Sequence, residues 1–155
     1  YGDADTTVVV TVKANVDPPL IKRSPELVQG LGNLIENATE FAQDQVDLEF
    51  TWGEDQVELS ISDDGPGFAA NILGLLGDPY ISTRPGSGRM GLGVFISKTL
   101  LERTGASLHF FNRRQGLGAT VVIRWPRHII DLSIDNFGNG AVEGGQLQQA
   151  SQGEY

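Results

Sequence analysis

The sequence predicts an α+β domain: a two-layer sandwich in which helices cover one face of a mixed, mainly antiparallel sheet. Three observations carry that prediction. First, the segments VDLEFTW and QVELSIS, and then ASLHFF and GATVVIRW, alternate apolar and polar residues and read as two β-hairpins. Second, Leu27, Leu31, Leu34, Ala38 and Phe41, supported by Val28, Ile35 and Ala42, recur at three-to-four spacing and mark an amphipathic helix. Third, strands stand before, between and after the helices, so the helices share one side of the sheet.

Taken in order, TTVVVTV (Thr6 to Val12) is short and β-branched, and the prolines of ANVDPPL stop it, giving a strand and a loop. Ser24 suits an N-cap and Pro25 the first helical position, so the first helix starts there. The first hairpin turns at Gly53-Glu54-Asp55. The segment from Asp63 to Gly93 is too rich in Gly and Pro for much regular structure. Ordered loops of that length are uncommon and often serve as binding lids; here Leu73, Leu75 and Leu76 are expected to hold the loop to the sheet. A second helix is expected over about 92–104, with Phe95, Ile96, Thr99 and Leu100 inward and Gly105 as its stop. The second hairpin turns through NRRQGLG and ends at Pro126. From Asp131 the chain is rich in Gly and Gln with little to bury, so the domain is expected to span 1–130 and a mobile tail 131–155.

Composition narrows the chemistry. With 155 residues, 39% hydrophobic and 20% charged, the chain fits one globular domain, and no apolar run approaches the roughly 18 residues that span a bilayer. There is no cysteine, so disulfides, thiolate metal sites and cysteine nucleophiles are excluded, and two histidines are too few for a His-rich metal centre. A formal charge of −9 argues against a nucleic-acid partner, because phosphate backbones are bound by basic groups. A nucleotide could still bind through magnesium and backbone N–H groups. The N-terminus shows no targeting signal and the chain starts inside a likely strand, so it reads as a piece of a longer protein.

Three motifs carry possible chemistry. Asn33 and Asn37 in NLIENATEF lie one helical turn apart beside the apolar stripe, where a neutral amide oxygen could hold a hard cation against phosphates; capping or solvent-exposed residues read the same way. DDGPGF follows a predicted strand. Asp63 could accept a hydrogen bond from the exocyclic amine of adenine, and Gly65 and Gly67 lack the Cβ that would keep a flat base off the backbone, although a DG turn is the plainer reading. GSGRMGLGVF runs into a helix, and glycines that free N–H groups at a helix N-terminus can hold phosphate. It matches neither the Walker nor the dinucleotide pattern.

NLIENATEF, DDGPGF, PYISTRP and GRMGLGVFISKTLLERTGASL, in this order, resemble the N, G1, F and G2 boxes of the ATP-binding catalytic domain of sensor histidine kinases, within the gyrase, Hsp90, histidine kinase and MutL superfamily. The likeness runs from about Thr6 to Pro126, and the wording of the boxes is most similar to the redox-responsive RegB/PrrB type. The resemblance implies a Bergerat-type fold with a flexible ATP lid and the cofactors ATP and Mg²⁺. It implies Asn37 as magnesium ligand, Asn33 near the phosphates, Asp63 on the adenine amine, and a Thr120 hydroxyl assisting Asp63. Phe41, Gly65, Gly67 and Phe68 are then implied around the nucleotide, and Thr83, Arg84, Gly88, Arg89, Met90, Gly91, Leu92 and Gly93 in the lid and the helix start. Glu40 stands where many members carry lysine, so Arg84 or Arg89 is the expected cation on the phosphates. Members that hydrolyse ATP on their own carry a glutamate base one turn before the magnesium asparagine, where this chain has Asn33, and an amide cannot take a proton from water. That favours transfer to an outside nucleophile over an autonomous ATPase; an idle nucleotide-binding scaffold is the other alternative. Neither His109 nor His128 sits in the helical His-Glu/Asp context of the family's acceptor, so the resemblance places that histidine on a separate dimerisation and phosphoacceptor domain. A response regulator would act downstream. The domain alone is expected to be a monomer and the cytoplasmic part of a membrane-anchored sensor.

Overall fold

The structure is a computed structural model that describes residues 5–76, 88–113 and 118–133, with residues 88–92 described by their backbone alone. The strands β1 (Thr7–Ala14), β2 (Gln45–Trp52), β3 (Gln56–Asp63), β4 (Ser107–Asn112) and β5 (Ala119–Pro126) form one sheet in the order β1-β2-β3-β5-β4. β1 runs parallel to β2, and every other pairing is antiparallel. Both hairpins are as the alternation predicts, and the sheet is mixed and mainly antiparallel as expected. Four helices complete the described fold: α1 (Pro25–Phe41), α2 (Ala70–Leu76), α3 (Gly88–Glu102) and the single turn α4 (Arg127–Ile130). None is long and apolar enough to cross a membrane.

α1 starts where the sequence places it: Ser24 is extended and its Oγ accepts the Leu27 N–H at 3.2 Å, with Pro25 in the first turn. Leu34 and Ala38 are buried against the sheet, while Val28, expected in the stripe, is 46% exposed. Gly30 takes a buried place that the apolar pattern did not mark. A Cβ there would lie 2.7 Å from Leu101 Cγ, so this glycine lets α1 and α3 pack closely.

The expected irregular segment from Asp63 to Gly93 contains two pieces of helix. α2 buries Ile72, Leu75 and Leu76 and half-buries Leu73, so these leucines anchor the segment as a helix packed on α3 and β4. α3 opens at Gly88, about a turn earlier than expected. Glycine lowers helix propensity by about 1 kcal/mol relative to alanine, which is why a local reading leaves Gly88 and Gly91 outside the helix. Its inward face is also rotated: Val94, Ser97 and Leu101 are buried, and Ile96 is 42% exposed. Apolar residues lie on all sides of this helix, so periodicity alone does not select a face. Gly105, at φ +96°, ends the helical segment as predicted.

At the far end of β3 from Asp63, a buried ion pair ties three segments together. Arg127 Nε donates to Asp131 Oδ2 at 2.8 Å, and its other nitrogens donate to the carbonyls of Gly53 (2.8 Å) and Asp17 (2.6 Å). Asp131 Oδ1 accepts from the Leu20 amide (2.9 Å) and from the amide and hydroxyl of Ser133 (3.0 and 2.6 Å). Asp131 is fully buried, so the folded body reaches at least Ser133, past the expected boundary at 130; residues 134–155 of the tail lie outside the described residues. Its charge partner four residues earlier and its Ser133 cap are what hold it in place.

Burial opposes the Asp131 charge, but the bonds from Ser133, Leu20 and Arg127 outweigh it and hold this carboxyl far below the usual 3.8. A folded pKa below the unfolded one gives stability that is complete above that usual value and is lost as pH falls through the folded one. Asp131→Ala, which strands a buried guanidinium, is expected to cost about 3–5 kcal/mol in urea denaturation at pH 7. Asp131→Asn should remove this contribution to acid unfolding.

Candidate functional site

Strand parity builds the centre of the site. Val57, Leu59 and Ile61 face the helices, and the same alternation carries Asp63, at the end of β3, onto that face, where it is 6% exposed. Its Oδ1 accepts the Gly65 amide at 2.8 Å and the Ala119 amide at 3.4 Å. Burial raises the Asp63 pKa above 3.8, opposed by those two amides; the Asp64 charge adds to the rise and the Arg113 charge opposes it.

Asp64 does separate work one residue on. Its carboxylate accepts the backbone amides of Gln43 (2.7 Å), Asp44 (3.0 and 3.1 Å) and Gln45 (3.2 Å), which fastens the α1–β2 connection to the end of β3. Burial opposes this charge too, but the amides of Asp44, Gln45 and Gln43 outweigh it and hold the carboxyl below its usual value.

The glycines of DDGPGF also make room for neighbouring parts of the chain. A Cβ on Gly65 would overlap the carbonyl oxygen of Phe41, the last residue of α1. Gly67 has φ +87°, and a Cβ there would meet Asn112 Oδ1 at 2.9 Å. The missing side chains thus make room for protein, which brings the turn onto α1 and β4. Phe68 is buried, edge-on to Phe110 at 5.9 Å. Beside the turn a cleft of about 320 Å³ is lined by Phe41, Gln43, Gly65 and Pro66.

The structure places Asn33 and Asn37 half-buried on α1, flanking buried Leu34 and Ala38, and neither side-chain amide has a hydrogen-bond partner among the described residues. Glu40 is exposed on the same helix. Thr120 is a correction. It sits opposite Ser62 in the β3–β5 register, and their hydroxyls are 3.0 Å apart, so it faces away from Asp63, which lies one position along β3. The β5 group that reaches Asp63 is the amide of Ala119. Gly88, Arg89, Met90, Gly91 and Leu92 fall in the first turns of α3, described by backbone alone; Gly93 follows them, while Thr83 and Arg84 lie outside the described residues. His109 on β4 and His128 on α4 are both exposed.

Sequence reasoning missed Gln43, Asp64, Asn112, Arg113 and Ala119. For Asp64 a signal was present, since two adjacent carboxylates at a strand end must point to opposite faces. Residues that act through backbone amides or by meeting a distant turn leave no local signal.

A mixed sheet covered on one face by helices is the fold that the resemblance implied, and the comparisons with known proteins agree on that fold. The chain belongs to the histidine kinase-, DNA gyrase B- and HSP90-like ATPase family, whose model matches residues 22–129. It is 42% identical over 127 residues to the sensor histidine kinase RegB of Cereibacter sphaeroides, a match that takes in 70% of this chain and 28% of that protein; the chain thus spans less than a third of that relative. Among solved structures, the mycobacterial sensor histidine kinase MprB superposes with a TM-score of 0.58 at 25% identity, covering 79% of this chain and 83% of that one. The catalytic domain of the histidine kinase ThkA shares the fold, with a TM-score of 0.59 at 18% identity over 77% of this chain and 80% of that one.

Gly65→Ala is expected to destabilise the fold by about 1–3 kcal/mol, because the new methyl meets backbone that cannot rotate away. Gly32→Ala is the control: its Cβ would meet nothing within 4 Å, so it should be neutral or stabilising by up to about 1 kcal/mol. Chemical denaturation of both variants measures the contrast.

Proposed function

We propose that this chain is the catalytic domain of a two-component sensor histidine kinase, which binds Mg-ATP and donates its γ-phosphoryl group to a histidine on the dimerisation and phosphoacceptor domain of the same full-length protein. The observation that carries the reading is Asp63: a buried carboxylate at the end of the central strand, with two backbone amides directed at Oδ1. Oδ2, at which neither amide is aimed, is the acceptor we assign to the adenine amine. Guanine would present a carbonyl oxygen there and be rejected. Phe41 and Gly65 line the adjoining cleft, where the base would lie against the ring.

Asn33 and Asn37 fit a magnesium site in donor chemistry: both are neutral oxygen donors on one helix face, half-buried and without a partner among the described residues. Asn37 would hold the ion, which supplies charge neutralisation to the phosphates, and Asn33 would lie near them. The glycine-rich start of α3, from Gly88 to Gly93, would offer N–H groups to the phosphates, with Arg84 or Arg89 as the cation that Glu40 cannot be. In the transfer, the bond from the γ-phosphorus to its bridging oxygen breaks, a nitrogen–phosphorus bond forms at the acceptor, and ADP leaves. Such a reaction asks the protein mainly for positioning and charge, consistent with Asn33 in place of a general base. A response regulator would receive the group next. The exposed Glu40 favours one second reading, a scaffold that binds nucleotide without transfer, and an assay with added phosphoacceptor domain separates the two.

Asp63→Asn should weaken ATP binding by about 1–3 kcal/mol with the fold intact, measured by calorimetry beside the wild type. In the wild type, affinity should decline with falling pH from above 3.8, because the raised pKa protonates Asp63 earlier than an exposed aspartate; the Asn variant should lack this step. Equal wild-type affinity for ATP and GTP would remove the base assignment.

Asn37→Asp tests the metal ligand. It should change the magnesium dependence of ATP binding, or abolish transfer, while altering stability by no more than about 0.5 kcal/mol. An unchanged magnesium titration with full transfer would return Asn37 to an ordinary surface residue.

A further inference from the structure

We propose that Asn112, at the end of β4, is a positioning residue for the base-binding turn, an inference that rests on the nucleotide reading above. Asn112 pairs with both main-chain groups of Phe68: its Oδ1 accepts the Phe68 N–H at 2.7 Å, and its Nδ2 donates to the Phe68 carbonyl at 2.9 Å. A side-chain amide here stands in for a neighbouring strand and satisfies a residue that belongs to no ladder. Phe68 is thereby fixed twice from one face of β4, by ring contact with Phe110 and by backbone pairing with Asn112 two residues on.

The opposite end of the turn is held from the same hairpin. Arg113 Nη1 donates to the Asp63 carbonyl at 3.3 Å, Arg113 Nη2 lies 3.7 Å from Asp47 Oδ2, and the Ala119 amide reaches Asp63 Oδ1. Arg113 N–H also donates to the Gly118 carbonyl at 2.9 Å, closing the end of the hairpin, and a Cβ on Gly118 would overlap the Asp63 carbonyl. The β4–β5 hairpin end therefore grips both ends of the segment from Asp63 to Phe68, which carries the carboxylate assigned to the base and the glycine at the cleft. Asparagine supplies the acceptor and the donor that position 112 requires. Aspartate has the same shape but cannot donate to the Phe68 carbonyl and sets a negative charge against it; serine is too short to reach both groups.

Releasing this grip should loosen the base subsite and spare the phosphate subsite, which is built on α1 and α3. In calorimetric titrations of the 155-residue chain, Asn112→Asp is expected to weaken Mg-ATP binding about tenfold and to narrow the preference for ATP over GTP, with the affinity for magnesium tripolyphosphate unchanged. Asn112→Ser is measured alongside and read in the same way, so that a failure of the Asp variant to fold leaves the comparison intact. His109→Ala, on the other face of β4, should bind like the wild type. Unchanged ATP affinity and base preference in a folded position-112 variant would overturn the proposal. So would an equal loss for ATP and tripolyphosphate, which would reveal general loosening. Failure of the wild type to bind Mg-ATP would instead overturn the nucleotide reading itself.

Discussion

A carboxylate buried at the end of a central strand needs donors, and much of the local structure follows from supplying them to Asp63. The chain turns back so that the Gly65 amide reaches Oδ1, and β5 enters the sheet so that the Ala119 amide reaches the same atom. Both require close backbone approach, which is why glycine stands at 65, under the Phe41 carbonyl, and at 118, under the Asp63 carbonyl. Even so, burial keeps the pKa raised. A group whose charged form is disfavoured by the protein alone gains from a ligand that donates to it, as an exocyclic amine does.

The adjacent aspartate shows how one strand end serves two purposes. Asp63 turns inward to the site, and Asp64 turns outward to collect the amides that follow α1. The register of β3 thereby sets both the acceptor at the site and the exit of the asparagine-bearing helix. At the other end of β3, the Arg127–Asp131 pair joins the approach to α1, the first hairpin turn and the chain after β5. The ion pair and the site thus lie at opposite ends of the same strand, one closing the fold and the other leaving acceptors for a ligand.

Legibility in the sequence followed the range of the interactions. The N-cap of α1, both hairpins and the Gly105 stop were readable because each is decided within a few residues. α2 was not. Its apolar spacing at Ile72, Leu75 and Leu76 is real, but a single short turn-rich stretch with Gly74 offers too little pattern to outweigh the surrounding glycine and proline. The helix face of α3 was misread because its apolar residues surround it, and the choice of Val94, Ser97 and Leu101 is made by α1 and the sheet. Thr120 was misassigned because a one-residue step along β5 exchanges faces, and the register that fixes the step comes from pairing with β3.

By itself, then, the sequence determined the class of fold and the chemical inventory of the candidate site, since periodicity, caps and motif order are local properties of the chain. Asn33, Asn37, Asp63 and the glycines were named from it alone. Tertiary structure decided which of those groups meet: that Gly65 lies under Phe41, that Ala119 and not Thr120 attends Asp63, and that Asn112 takes both backbone groups of Phe68 across 44 residues of chain. Contacts at such separation depend on sheet register and on the length of each connection, and no pattern within a few residues encodes either.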